Sequence, residues 1–125
     1  MISDIQEIAI QNISAALRDE RDRLGYPDYP VFREGRVAYL MRNYPNLWVD
    51  LSAGSGANAM LRDMAYAGEF MREFSDRILF GTDICFHDQK VRQPEILYTL
   101  RDSGSITGEM FENIARLNAY RLLKI

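Results

Sequence analysis

Cysteine, histidine and lysine are nearly absent from this chain. A single cysteine, Cys85, leaves no internal disulfide to form and fits a reducing compartment such as the cytoplasm. A single histidine, His87, leaves the chain without the imidazoles and thiolates that would complete a zinc tetrahedron. Basic residues number 15 against 18 acidic ones, and the formal net charge is −3, so there is no basic excess to draw in nucleic-acid phosphates. No apolar run approaches a membrane span. The first twenty residues carry Asp4, Glu7, Arg18, Asp19 and Glu20, which no signal peptide would tolerate. Nucleic-acid binding, membrane insertion and a secreted disulfide scaffold are therefore not expected.

What is present is ordinary globular material. Apolar residues make up 47% and charged residues 26% of 125 residues, enough for one compact domain over residues 1–125. Ser3 followed by Gln6 fits a capping box, and Ile5, Ile8, Ala9, Ile13, Ala16 and Leu17 recur at helical spacing, which predicts a helix over 3–23 ended by Gly25. Tyr26-Pro27-Asp28-Tyr29-Pro30 must be extended, because each proline disfavours helix at its predecessor. A short helix over 36–43 follows, with Val37, Leu40 and Met41 inward, and Tyr44-Pro45-Asn46 turns the chain.

Leu47 to Leu51 reads as a buried strand, and Ser52 to Gly56 as a flexible small-residue loop. Helix is expected from Ala57 to Ser75, broken around Ala67-Gly68, and a second strand from Arg77 to Gly81. Pro94 opens a further helix to Asp102. Thr107 caps a last one whose apolar face runs through Phe111, Ile114, Leu117, Leu122 and Leu123. Strand, helical crossover, strand is a βαβ unit, which predicts an α/β fold with a parallel pair and a right-handed crossover. Two buried parallel strands leave polar edges unpaired, at roughly 1–3 kcal/mol for each buried unsatisfied group. The sheet is thus expected to be completed from outside this chain, and a helix with no strand before it fits a chain that begins mid-fold.

Sites in parallel α/β folds gather where strands end. The two tips here are Asp50-Leu51-Ser52 with the glycine-rich run to Asn58, and Gly81-Thr82-Asp83. Asp83 is the sharper candidate: a carboxylate at a strand tip can bind a divalent cation or take a proton from water. Its competing role is that of a turn or helix-capping residue. The run from Gly54 to Asn58 lacks the Gly-Lys-Ser/Thr ending of a phosphate loop and reads as a tight bend. Cys85, His87 and Asp88 share the following loop, but Cys-x-His is not a metal spacing by itself, and a nucleophile pair usually comes from separate elements.

Two stretches, Tyr44-Pro45-Asn46-Leu47-Trp48-Val49-Asp50-Leu51-Ser52-Ala53-Gly54-Ser55-Gly56-Ala57-Asn58 and Asp76-Arg77-Ile78-Leu79-Phe80-Gly81-Thr82-Asp83, resemble the last two barrel strands of the amidohydrolase-related family. The ending from Ile106 through Phe111, Ile114 and Asn118 to Leu123 is similar to that family's C-terminal helix. The resemblance covers about residues 35–125. It implies a partial (β/α)8 barrel comprising the last two strands and surrounding helices. It also implies a divalent metal, zinc or similar, and a small-molecule substrate at the strand tips. Asp83 falls on the family's aspartate after the last strand, which binds metal or accepts a proton from activated water. The family's His-x-His pair and later histidines have no counterpart here.

Two readings follow from that departure. In the first, the chain is the C-terminal portion of a metal-dependent hydrolase or decarboxylase acting on a small carboxylic or cyclic substrate, binding no metal and lacking turnover alone. In the second, it is a non-enzymatic module that pairs through exposed sheet edges with a second copy or with an N-terminal half-barrel.

Overall fold

A computed structural model describes residues 26–125. The helix expected over 3–23 lies outside the described residues. Five helical stretches and two short strands follow in the expected order. Helix α1 spans Arg36–Asn43, strand β1 Val49–Asp50, helix α2 Ala53–Leu61, helix α3 Met64–Phe74, strand β2 Ile78–Leu79 and helix α4 Gln93–Asp102. Helix α5, Gly108–Glu112, runs through a π-helical turn, Asn113–Leu117, into helix α6, Asn118–Leu123. The strands pair in parallel, Val49 beside Ile78 and Asp50 beside Leu79, so the βαβ reading holds.

Helical spacing explains which faces are buried. Ala67, Gly68, Met71 and Phe74 line one side of α3, and Ile96, Leu97 and Leu100 one side of α4. They close with Met41, Ile78, Ile106 and Ile114 around a single core. Asp63 caps α3 by accepting the Tyr66 amide at 2.9 Å, and Thr107 caps α5 by accepting the Met110 amide at 3.1 Å.

Several boundaries differ from the sequence expectation. The stretch read as a flexible loop is the first turn of α2, which begins at Ala53 rather than Ala57. The helical region breaks at Arg62 and Asp63, not at Ala67-Gly68, because Asp63 captures the first free amides of α3. Gly68 instead lies buried within α3, where a Cβ would come within 3.1 Å of the Ser105 Cβ. Both strands are shorter than expected, two residues each. Of the three residues expected inward on α1, Met41 is fully buried while Val37 and Leu40 are half-buried. Leu122 and Leu123 are exposed, not part of an apolar face. The π-helical turn accounts for this: its wider loop adds a residue and rotates everything after it out of the phase set by Ile114.

That same turn closes one side of the sheet. The Asn118 amide reaches back to the Asn113 carbonyl, one residue further than an α-helix would place its bond. The Ile114 carbonyl, which an α-helix would use for Asn118, accepts the Phe80 amide of the β2 segment at 3.1 Å instead. The Asn118 side chain is fully buried and donates to the Ile78 and Ser75 carbonyls, each at 2.7 Å. Its own oxygen accepts from Arg121.

Candidate active site at the strand tips

Because β1 and β2 run parallel, their C-terminal ends lie side by side, and the chain leaves both tips with unusual backbone. Ala53 and Asp83 have φ of +66° and +58°, the left-handed region that costs a non-glycine residue energy unless its surroundings hold it. Ala53 is held from both ends of its peptide unit. Its amide donates to the Thr82 carbonyl at 3.3 Å, and its carbonyl accepts Gln93 Nε2 at 2.7 Å. Gln93 Nε2 also donates to the Leu51 carbonyl at 3.1 Å, and the residue is buried at the start of α4. One amide group thus ties α4 to the tip of β1. Asp83 fits its left-handed position more readily, since Asp and Asn populate that region.

The Asp50 carboxylate is committed to the turn. Its Oδ1 accepts both the Ser52 amide at 2.7 Å and the Ser52 hydroxyl at 2.5 Å. Gly81 on the β2 side presses against this turn: a Cβ there would lie 2.1 Å from Ser52 Oγ and 2.9 Å from Asp50 Oδ1. Gly56 has a comparable duty on α2, where a Cβ would meet the Leu51 carbonyl oxygen at 2.2 Å. The glycine-rich run therefore exists to bring α2 flush against the end of β1.

Asp83 stands exposed beyond this packed tip. Its carbonyl accepts the Cys85 thiol at 3.3 Å and Gln89 Nε2 at 3.4 Å, while Cys85 Sγ lies 3.9 Å from Asp83 Oδ1. The Cys85 amide donates to Gln89 Oε1 at 2.7 Å, which folds the loop into a compact turn. His87 sits apart from this arrangement in its bonding. Its Nδ1 meets Asp88 Oδ1 at 2.8 Å, and both side chains are more than nine-tenths exposed. Among the described residues, no group of three or more His, Cys, Asp or Glu is placed to hold a metal ion. One exposed carboxylate with a weak thiol neighbour does not make such a site.

A cavity of about 180 Å³ lies on the other side of β1. Its walls are mostly apolar and include Val49, Leu51, Met60, Ala67, Phe70 and Met71. Tyr66 also lines it, and burial pushes the Tyr66 hydroxyl pKa up to about 12. The extended segment over 26–31 borders it and is pinned by three contacts: Asn58 Nδ2 to the Pro27 carbonyl at 3.0 Å, Arg62 Nε to the Tyr29 carbonyl at 2.9 Å, and the Val31 amide to Asp63 Oδ2 at 3.1 Å. Sequence reasoning placed Asp83, Asp50 and Ser52 at the tips but missed Gln93, Asn118 and the cavity. The first two act across 40 or more residues, a range at which no local pattern marks a partner.

The comparisons with known proteins agree with the strand-tip motifs. The amidohydrolase family model matches residues 24–125, and the chain belongs to that family. Neither a curated protein nor a solved structure matches it. No helix among the described residues is long and apolar enough to cross a membrane.

Proposed function

We propose that this chain supplies the Asp83-bearing strand tips of an amidohydrolase-type centre of partial-barrel form, with the imidazole ligands coming from outside these residues. The observation that carries this reading is the position of Asp83. It stands exposed just past the end of β2, beside the tip of a parallel neighbour, in a chain of the amidohydrolase family. A carboxylate so placed can take a proton from, or return one to, a molecule lying over the tips. Asp50, Ser52, Gly81 and Gln93 fix the platform on which that molecule would rest.

The donor set does not fit a resident metal. The family generally uses a divalent ion, which would lower the pKa of a bound water. Here the sole histidine is paired with Asp88, and of the two tip carboxylates Asp50 is bonded to Ser52, which leaves Asp83. The reading is therefore a centre completed by other residues, acting on a small carboxylic or cyclic substrate by hydrolysis or decarboxylation, and inactive as this chain alone.

Metal analysis tests it. The purified chain is measured by itself and after mixing with a histidine-bearing half of an amidohydrolase barrel, with Asp83→Asn as the control. Uptake by the mixture that disappears with Asp83→Asn is the expected result. Uptake indifferent to that substitution removes Asp83 from the centre, and zinc-dependent turnover by the chain alone refutes the reading as a whole.

A further inference from the structure

We infer that Gln89 is a positioning residue of the centre proposed above, an assignment that rests on that reading of Asp83. The Gln89 side chain closes the turn that Asp83 would otherwise close with its own carboxylate, and so leaves that carboxylate open to substrate. Loop aspartates commonly accept the backbone amide two residues further on. At the other tip Asp50 does this, taking the Ser52 amide at 2.7 Å. The matching amide for Asp83 is that of Cys85, and it goes to Gln89 Oε1 at 2.7 Å instead. Among the described residues, the Asp83 carboxylate meets only Cys85 Sγ, at 3.9 Å.

The Gln89 amide can face one way only. A peptide N–H donates and cannot accept, so the oxygen faces Cys85 and Nε2 turns to the Asp83 carbonyl, at 3.4 Å. The Gln89 backbone amide donates to the Phe86 carbonyl at 3.2 Å, which anchors the residue in the same turn. Both peptide planes around Asp83 are then held. The Thr82 carbonyl, in the plane before it, accepts the Ala53 amide at 3.3 Å, and the Asp83 carbonyl, in the plane after it, accepts Gln89 and the Cys85 thiol. Holding both planes sets the φ of +58° and with it the direction of the Asp83 Cα–Cβ bond. The two tip carboxylates therefore divide their duties. Asp50 builds its turn, whereas Asp83 has its turn built by Gln89.

Amide NMR of the full chain, titrated between about pH 6 and pH 3, tests this, because an amide bonded to a carboxylate shifts as that carboxyl takes its proton. Ser52, bonded to Asp50, serves as the internal standard. In the unaltered chain the Cys85 amide should hold its shift while Ser52 moves. In Gln89→Leu, and in Gln89→Ala as a second variant, the Asp83 carboxylate should capture the freed Cys85 amide, which then titrates as Ser52 does. Adding Asp83→Asn should abolish that titration, which separates Asp83 from Asp88, the loop's other carboxyl, paired with His87. The mixture with a histidine-bearing half-barrel gives the second readout: with Gln89→Leu, half-uptake of zinc should need about 10–100-fold more metal. A Cys85 amide that follows Asp83 in the unaltered chain overturns the inference. So does one that ignores pH in both Gln89 variants, one that still titrates after Asp83→Asn, or zinc uptake indifferent to Gln89→Leu. Absence of uptake by the unaltered mixture counts against the proposed function, and the titration of the chain alone still decides the part played by Gln89.

Discussion

The two strands are equal in length and direction, but their outer edges are finished differently. Beyond β2, the Asn118 side chain and the Ile114 carbonyl take the positions a third strand would occupy. Beyond β1 lies an apolar cavity and no hydrogen-bond partner among the described residues. A missing strand can thus be replaced by a side-chain amide plus one carbonyl released by a π-helical turn. Burial differs at one paired position: Ile78 is fully buried, whereas its partner Val49 is half-buried.

The largest expected effect comes from breaking the finished edge. Asn118→Leu keeps the volume and removes both donated bonds, leaving the Ile78 and Ser75 carbonyls without that donor. A loss of about 2–4 kcal/mol is expected in urea unfolding, since each buried orphan costs about 1–3 kcal/mol. An unchanged midpoint would show that the edge is closed by something other than Asn118. Next comes Gly56→Ala, which drives a methyl into the Leu51 backbone and separates α2 from β1. Overpacking of this kind costs about 1–3 kcal/mol, and chemical-shift changes should concentrate at residues 51–56. Gly81→Ala should cost less, because Ser52 Oγ can rotate away; the Asp50–Ser52 bond is the expected casualty.

A smaller effect sharpens the other side of the comparison. Asp63→Ala removes the α3 cap and the anchor of the Val31 amide, at about 1 kcal/mol for a lost N-cap. Acid should do the same reversibly. The amides of Tyr66 and then Val31 hold the Asp63 carboxyl below its usual value. A hydrogen bond from Arg42 lowers Glu34 and Glu73 likewise. With the folded pKa depressed, these groups contribute fully above about pH 5, clear of their unfolded values, and lose that contribution as pH falls through the lowered folded values. The segment over 26–31 should leave α3 in that window, read from the Val31 amide shift. Persistence of that shift to lower pH would mean that Asn58 and Arg62 hold the segment unaided. The exposed Glu112–Arg116 pair marks the low end of the series. Glu112→Gln should leave the unfolding midpoint where it was.

The sequence made the βαβ unit, the helix order and the placement of Asp83 legible, because apolar spacing and the Pro45 and Gly81 boundaries are local signals. The glycines of α2 misled for a physical reason. Small residues at 54 and 56 look like a loop, yet Gly56 is required by a helix lying against a strand carbonyl. Gly68 misled in the same way, being a contact with Ser105 rather than a break. The phase slip at Asn113–Leu117 left no composition signal, so Leu122 and Leu123 were assigned to the wrong face. Gln93 carries no local mark either, since its partners at 51 and 53 meet it only in the folded chain.

Amide hydrogen exchange on the two edges tests the central claim most directly, that among the described residues this sheet is finished on the β2 side only. The Phe80 amide, bonded to Ile114, should exchange slowly, at a rate set by larger openings of the fold. The Asp50 amide, one strand away and without a bonded partner among the described residues, should exchange fast. Equal protection of both amides in the chain alone would contradict the account.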